Sequence, residues 1–332
     1  MNKPLLSICI ATYNRADYIG ETLNSIIPQL DDEVEIVVVD GASTDKTQEV
    51  VEEFVRREPR IHYVRLPAKG GVDQDYNKAV ELARGEFCWL FTDDDLLKPG
   101  AIAAIKTAIA KGYDLVVVNA EVRDNRLTTI LDDQRMIMRE NKEYAPRDVD
   151  DFFVNSIDYL SFIGAVVIRR SVWLGRDREQ YLGTEFIHIG VIFQKALEAS
   201  ILVIADPYII IRWGNAQWTP RGFDIWMFKL PNLIWSFEDI SSEAKQRVVK
   251  REPWRNLKNL IIYRRTGSYN IYSYQKYFSK VKAGSIWRFF AFAIAIFPRE
   301  IIAPFYYCVH QIRFSIKKYS SAARRNGVGV AG

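Results

Sequence analysis

Two periodicities alternate through the first 120 residues. Residues 5–11 are an unbroken apolar run of strand length. Residues 16–29 then place Ile19, Leu23, Ile26 and Ile27 at helical spacing. The β-branched run 35–40 (EIVVVD) predicts a second strand. Residues 44–57, with Val50, Val51, Phe54 and Val55 inward, predict a second helix. Strand 61–66, helix 74–83, strand 86–91, a helix opened by Pro99 and strand 113–119 complete the series. Strands that are apolar on both faces and alternate with amphipathic helices predict an α/β fold with a mainly parallel central sheet flanked by helices.

Beyond residue 120 the pattern loosens. Residues 120–160 read as polar and irregular, and 162–168 (FIGAVVI) as a buried strand. Residues 186–199 read as a helix, and 201–205 and 208–212 as two strands. From about 223 the chain turns aromatic, basic and helical. These shifts predict a first region over 1–222, itself divided near 120, followed by a helical extension over 223–332.

In sheets of this kind ligands bind at the carboxyl ends of strands. Polar residues gather there: Thr12-Tyr13-Asn14 after the first strand, Asp40-Gly41 after the second, Asp93-Asp94-Asp95 after the fourth. Three consecutive carboxylates repel one another unless a cation neutralises them, and oxygen ligands of this kind suit Mg²⁺ or Mn²⁺. An acidic turn capping the next helix is the competing reading. Asp40 could accept hydrogen bonds from a nucleoside, whereas Ser43, Thr44 and Asp45 read equally well as a helix cap. Gly70-Gly71 belongs to neither a GxGxxG fingerprint nor a P-loop, which weighs against dinucleotide and kinase-type readings.

Composition narrows the picture further. The three cysteines, Cys9, Cys88 and Cys308, are widely spaced and form no zinc pattern. The first apolar run is followed at once by Thr12-Tyr13-Asn14-Arg15, without a cleavage site, so the chain is expected to remain in the cytoplasm. The net charge of +4 conceals an asymmetry: residues 245–332 contain 18 Lys and Arg but only Glu252 and Glu300 as acids. Two apolar pieces, 286–297 and 301–309, are each too short to span a bilayer and are flanked by bases. Helices lying in an anionic membrane surface through residues 282–325 account for both features. Packing of these helices on the protein's own core, or a re-entrant hairpin, is the alternative. Tyr269, Tyr272, Tyr274, Tyr277 and Phe278 could also stack nucleic-acid bases; no nucleic-acid partner is expected.

The ordered set SICIATYNRADYIGETLNSI, EIVVVDGASTDKT, GGVDQDYNKAVELARGEF and WLFTDDDLLKPGAI resembles the inverting family 2 glycosyltransferases of the nucleotide-sugar A-type fold. YLSFIGAVVIRRSVW, YLGTEFIHIGVIFQ and RWGNAQWTPRGF look like the abequosyltransferase-like branch, which builds surface polysaccharides on a lipid carrier. The resemblance implies a nucleotide-sugar half over 1–120 and an acceptor half over 121–222. It implies nucleotide-sugar contacts at Thr12, Tyr13, Arg15, Asp40, Gly71, Asn77 and Asp93, and metal ligation at Asp94 and Asp95. Thr92 stands where many members carry a further Asp. Glu185 is the expected base for the acceptor hydroxyl, with His188, Arg212 and Trp213 as candidates toward acceptor or phosphate. The implied partners are a nucleoside-diphosphate sugar and a polyprenyl-diphosphate-linked saccharide, at the cytoplasmic face of a bacterial inner membrane. A nucleotidyltransferase shares the acidic site, but residues 6–15 lack its Gly-rich basic loop.

Overall fold

The computed structural model describes residues 3–279, 284–299 and 301. The chain forms two units and crosses between them more than once. Of the described residues, those within Met1–Ala216 and Lys229–Arg251 make the first, and those within Gln217–Phe228 and from Glu252 onward make the second.

The first unit is built on a mixed sheet. Its amino-terminal part runs β1 (Leu6–Thr12), α1 (Ile19–Ile26), β2 (Val34–Asp40), α2 (Thr47–Arg57), β3 (Ile61–Arg65), α3 (Val72–Leu82) and β4 (Phe87–Phe91). It continues with β5 (Leu96–Leu97), α4 (Ala101–Ile109), β6 (Leu115–Asp124), β7 (Ile130–Asp132), β8 (Lys142–Tyr144), α5 (Val149–Leu160), β9 (Val166–Arg169), α6 (Arg170–Leu174), α7 (Ile187–Phe193) and β10 (Ile201–Trp213). Strands lie in the order β3-β2-β1-β4-β9-β6-β10-β5. β3, β2, β1 and β4 are mutually parallel, β9 is antiparallel to both β4 and β6, and β10 is parallel to β6. The chain order reverses across β1 and β4, which opens a crevice at their carboxyl ends.

The apolar runs become fully covered strands: all seven residues of β2 and all five of β4 are buried. Glu35 survives inside β2 because it is fully partnered. Ser7 Oγ, the Arg84 backbone N–H and Arg84 Nε donate to it at 2.7, 2.7 and 2.8 Å. Burial opposes its ionisation, but these bonds prevail and hold the carboxyl below its usual range.

Four elements differ from expectation. The 120–160 stretch contains α5, whose Phe152, Phe153, Ile157 and Leu160 are buried; its acidic first turn (VDD) masked the stripe. The expected strand 162–168 begins with a 3₁₀ turn, Ile163–Ala165, before β9. The expected helix 186–199 closes at Phe193. The two strands expected over 201–212 are one, with a register shift between Ile204 and Ile209 around Pro207, which has no N–H to give the ladder.

α9 (Leu230–Ser236) and α10 (Ser242–Val248) return the chain to the first unit, because the Ser241 N–H bonds Asp150 at 3.0 Å and Phe237 packs on Phe193. In the second unit the short α8 (Gly222–Asp224) precedes α11 (Leu257–Arg265), α12 (Ile271–Phe278) and α13 (Ser285–Ile296). Phe223, Met227, Trp254, Leu260, Tyr269 and Phe278 form a separate aromatic core. α13 meets it through small residues, Ala291 and Ala295, and Tyr269 Oη donates to the Ala291 carbonyl at 2.9 Å.

Candidate active site

Parallel register brings the polar strand ends together. Thr12 lies opposite Asp40, and β4 leaves the sheet beside Ile10. The loop after β1 is fastened to the loop after β2. Asn14 N–H donates to Ser43 Oγ at 2.9 Å, Arg15 N–H to Thr47 Oγ1 at 2.8 Å, and Ala16 N–H to Asp45 at 3.1 Å. The 43–47 stretch therefore does more than cap α2. Asn14 itself has a left-handed backbone, φ 54°. Tyr13 carries Lys69 Nζ over its ring at 3.5 Å.

Asp40 is fully buried and accepts from Ser43 N–H and Tyr63 Oη, both at 2.7 Å. Asp75 lies against Gly41, where an added Cβ would fall 2.6 Å from its Oδ2. Asp75 Oδ1 is buried without a hydrogen-bond partner. Burial, then the nearby Asp40 charge, pushes the Asp75 carboxyl up to about 6.

The acidic turn forms the floor. Arg15 reaches it from the β1 loop, Nε 3.4 Å from Asp93 Oδ1 and Nη2 3.2 Å from Asp94 Oδ2. Asn215 Nδ2 donates to Asp94 at 2.7 Å, and the Arg212 N–H donates to Asp95 at 2.7 Å. Thr92 Oγ1 also bonds Asp95, so this hydroxyl serves the turn from inside. Burial and mutual repulsion dominate: Asp93 is raised to about 7, chiefly by desolvation and then by Asp94, and Asp95 is raised for the same two reasons. Asp94 is raised by burial, against the opposing pull of Arg15.

Arg212, expected toward acceptor or phosphate, is buried and turned into the protein. Its Nε donates to the Asp94 carbonyl at 2.9 Å, Nη1 to the Asn125 carbonyl at 2.7 Å, and Nη2 pairs with Glu21. It is a buried strut behind the acidic turn. His188 also departs from expectation: it is 1% exposed, its Nε2 lies 2.7 Å from the Leu160 carbonyl, and burial lowers it to about 4. It is a neutral core histidine. Trp213, at the end of β10, is 62% exposed.

Gly71, with φ 103°, opens α3. Asn77, further along α3, accepts from Trp173 Nε1 at 3.1 Å and donates to Glu81 at 3.1 Å, which directs its amide to α6 and to its own helix. Glu185 has a left-handed backbone, φ 72°, and its carboxylate is 3.0 Å from Lys229 Nζ. Its backbone N–H donates to Asp73 at 2.8 Å.

Sequence reasoning did not single out Asp73, Asp75, Tyr63, Lys69 or Lys229. The spacing VDQD carried a signal for the first two, but a helix taken to begin at 74 left Asp73 outside it. Tyr63 and Lys229 become neighbours of Asp40 and Glu185 only through tertiary contact.

A parallel β3-β2-β1-β4 half-sheet joined through an antiparallel β9, with an acidic turn at the crevice, is the architecture of an A-type glycosyltransferase. The glycosyl transferase family 2 model matches residues 7–172, and the chain belongs to that family. It is 28% identical over 277 residues to abequosyltransferase RfbV of Salmonella typhimurium, a match covering 75% of this chain and 81% of the relative. Among solved structures it is similar to S. aureus TarS 1–349, with TM-score 0.56, 20% identity, and coverage of 79% of this chain and 80% of that one. It is also similar to the mannosyltransferase PcManGT from Pyrobaculum calidifontis in complex with GDP-Man and Mn²⁺. That match has TM-score 0.52, 16% identity, and coverage of 92% and 87%.

Proposed function

We propose that this glycosyltransferase moves a sugar, with inversion at the anomeric carbon, from a nucleoside-diphosphate sugar to a hydroxyl of a polyprenyl-diphosphate-linked saccharide in surface-polysaccharide synthesis. The observation that carries the reading is the convergence of Arg15, Asp93 and Asp94 at the carboxyl ends of β1 and β4, beside Asp40. The nucleoside lies along Tyr13 and the end of β2, where Asp40 braces Ser43 and Tyr63 from beneath, and Arg15 meets the diphosphate. Glu185, on its own loop, takes the acceptor proton.

Among the described residues no three Asp, Glu, His or Cys side chains converge as a ready chelating set. Asp93, Asp94 and Asp95 nonetheless fit a divalent cation. They are hard oxygen donors packed together, and burial, joined for Asp93 and Asp95 by repulsion from Asp94, opposes their ionisation, a cost that a bound cation would relieve. Asp93 and Asp94 would hold it, with Asp95 behind them on Thr92 and the Arg212 N–H. Bound Mn²⁺ or Mg²⁺ supplies Lewis-acid stabilisation of charge on the departing diphosphate.

Association with an anionic membrane surface belongs to the same reading. α13 turns an apolar face outward: Ile286 is 74% and Phe289 66% exposed, and Phe290, Ile296 and Phe297 are also exposed. The described residues of the second unit carry eight Lys or Arg against Asp224 and Glu252. No helix among the described residues is long and apolar enough to cross a membrane. Lys282, Arg313, Lys317, Lys318, Arg324 and Arg325, and most of the 301–309 apolar piece, lie outside the described residues.

The test is transfer from labelled nucleotide sugars to a lipid-linked acceptor fraction by wild type and Glu185→Gln. Loss of transfer by about 10²–10⁴-fold with donor binding retained supports the assignment. Undiminished transfer by Glu185→Gln refutes it.

A further inference from the structure

Glu185 joins a strained backbone to an assigned chemical role. It is a non-glycine residue with φ 72°, in the left-handed region that costs an L-residue energy unless the surroundings enforce it. It is also the residue assigned above as the base. The chain around it is sharply turned, since Gly183 has φ 82° as well. Something must therefore hold this backbone in place.

Asp73 does so. Its Oδ2 accepts from the Glu185 N–H at 2.8 Å and its Oδ1 from the Ile187 N–H at 3.0 Å. One carboxylate thus grips the residue before and the residue after Phe186, across 112 and 114 positions of sequence. Ile187 is the first residue of α7, so the same group fixes where that helix begins. Asp73 is 4% exposed and both its oxygens are engaged, which leaves it in contact with backbone rather than with substrate. It stands in the first turn of α3, two residues after Gly71 with φ 103°. The loop implicated in donor binding and the loop carrying the base are therefore joined through one side chain. Only a carboxylate offers an acceptor to both N–H groups; burial raises it to about 6, and the N–H donors only partly offset that cost.

We propose that Asp73 is a positioning residue for the glycosyl transfer, holding the Glu185 backbone in its left-handed conformation so that the carboxylate is presented to the acceptor hydroxyl. This rests on the assignment of Glu185 as base. Asp73 acts on the chemical step and not on capture of the donor. Its loss lets the loop relax toward ordinary φ and displaces the base, and a displacement on the order of 1 Å lowers turnover by about 10²-fold.

The test is a double-mutant cycle of Asp73→Asn and Glu185→Gln, measuring kcat and KM for transfer, donor affinity by calorimetry, and melting temperature. Asn retains one acceptor but opposes the second N–H with an NH₂. The expected result is a fall in kcat of about 10²-fold for Asp73→Asn with donor affinity and donor KM unchanged. In the Glu185→Gln background the same substitution should remove nothing further, because its effect runs through that base. Equal fold losses in both backgrounds, or lost donor binding in Asp73→Asn, overturn the proposal in favour of a general structural role. Wild-type turnover in Glu185→Gln alone overturns the base assignment itself, and is recognised without reference to Asp73. Should Asp73→Asn fail to accumulate, Asp73→Ser, smaller and with a single acceptor, carries the same cycle.

Discussion

Replacing Asp93 with Asn should stabilise the cation-free protein while abolishing its activity. Asp93 is buried beside Asp94 and raised from 3.8 to about 7. An acid held above its unfolded value binds a proton more tightly when folded. Stability therefore falls as pH rises through the interval between the two values. Each pH unit of that interval is worth about 1.4 kcal/mol. Between pH 5 and pH 8 the wild type should lose roughly 2–3 kcal/mol that Asp93→Asn keeps, with Arg15 already counted as a partner. For a unit of this size that is roughly 5–10 °C in melting temperature. The quantity to follow by scanning fluorimetry in chelator is the difference between the two proteins at each pH. Taking the difference cancels buried groups remote from the turn, such as His188, which titrates in the opposite sense; Asp94 and Asp95 titrate together with Asp93, so the difference reports the acidic turn as a unit. Mn²⁺ should raise the wild-type melting temperature at pH 8 and close the gap. A difference that stays flat from pH 5 to 8, or an Asp93→Asn protein that melts below wild type throughout, would show that the acidic turn holds no unrelieved charge.

Two further outcomes are expected. Gly85→Ala should destabilise the first unit by roughly 1–3 kcal/mol, because a Cβ there would fall 2.6 Å from Ser7 Oγ, 2.7 Å from Ser7 N and 2.9 Å from the Leu6 carbonyl carbon; urea unfolding with an unchanged midpoint would contradict this. Replacing Phe289 and Phe290 together with Ser should weaken binding to anionic vesicles by at least about tenfold, each ring contributing on the order of 1–2 kcal/mol when withdrawn from water; co-sedimentation equal to wild type would remove α13 from the membrane reading.

The half-sheet was legible because β1, β2 and β4 are nearly unbroken apolar runs and α1 and α2 carry apolar residues at helical spacing. Thr12, Asp40 and the 93–95 turn were legible for the same reason: they are the polar residues at which those runs stop. The acceptor side was less so. α5 begins with acids that hid its buried Phe152 and Phe153, and β10 is broken by Pro207 into what looks like two strands. The roles of His188 and Arg212 depend on what surrounds them. A histidine one turn from Glu185 and an arginine at a strand end look like ligands until Leu160, Asn125, Glu21 and the Asp94 carbonyl are brought against them by the fold. Asp73 shows the reverse. In sequence it lies just ahead of the helix expected from 74, and only the tertiary structure sets it against the backbone 112 residues away.

The most direct measurement of the central claim is a calorimetric titration of wild type and Asp94→Ala with UDP-, dTDP-, GDP- and CDP-sugars, with and without Mn²⁺. Asp94→Ala removes the carboxylate shared by Arg15 and Asn215. The expected result is binding of one nucleotide class by the wild type, tightened by Mn²⁺, with that tightening lost in Asp94→Ala. Equal binding by both proteins, or binding indifferent to the cation, would contradict a nucleotide-sugar site on the acidic turn.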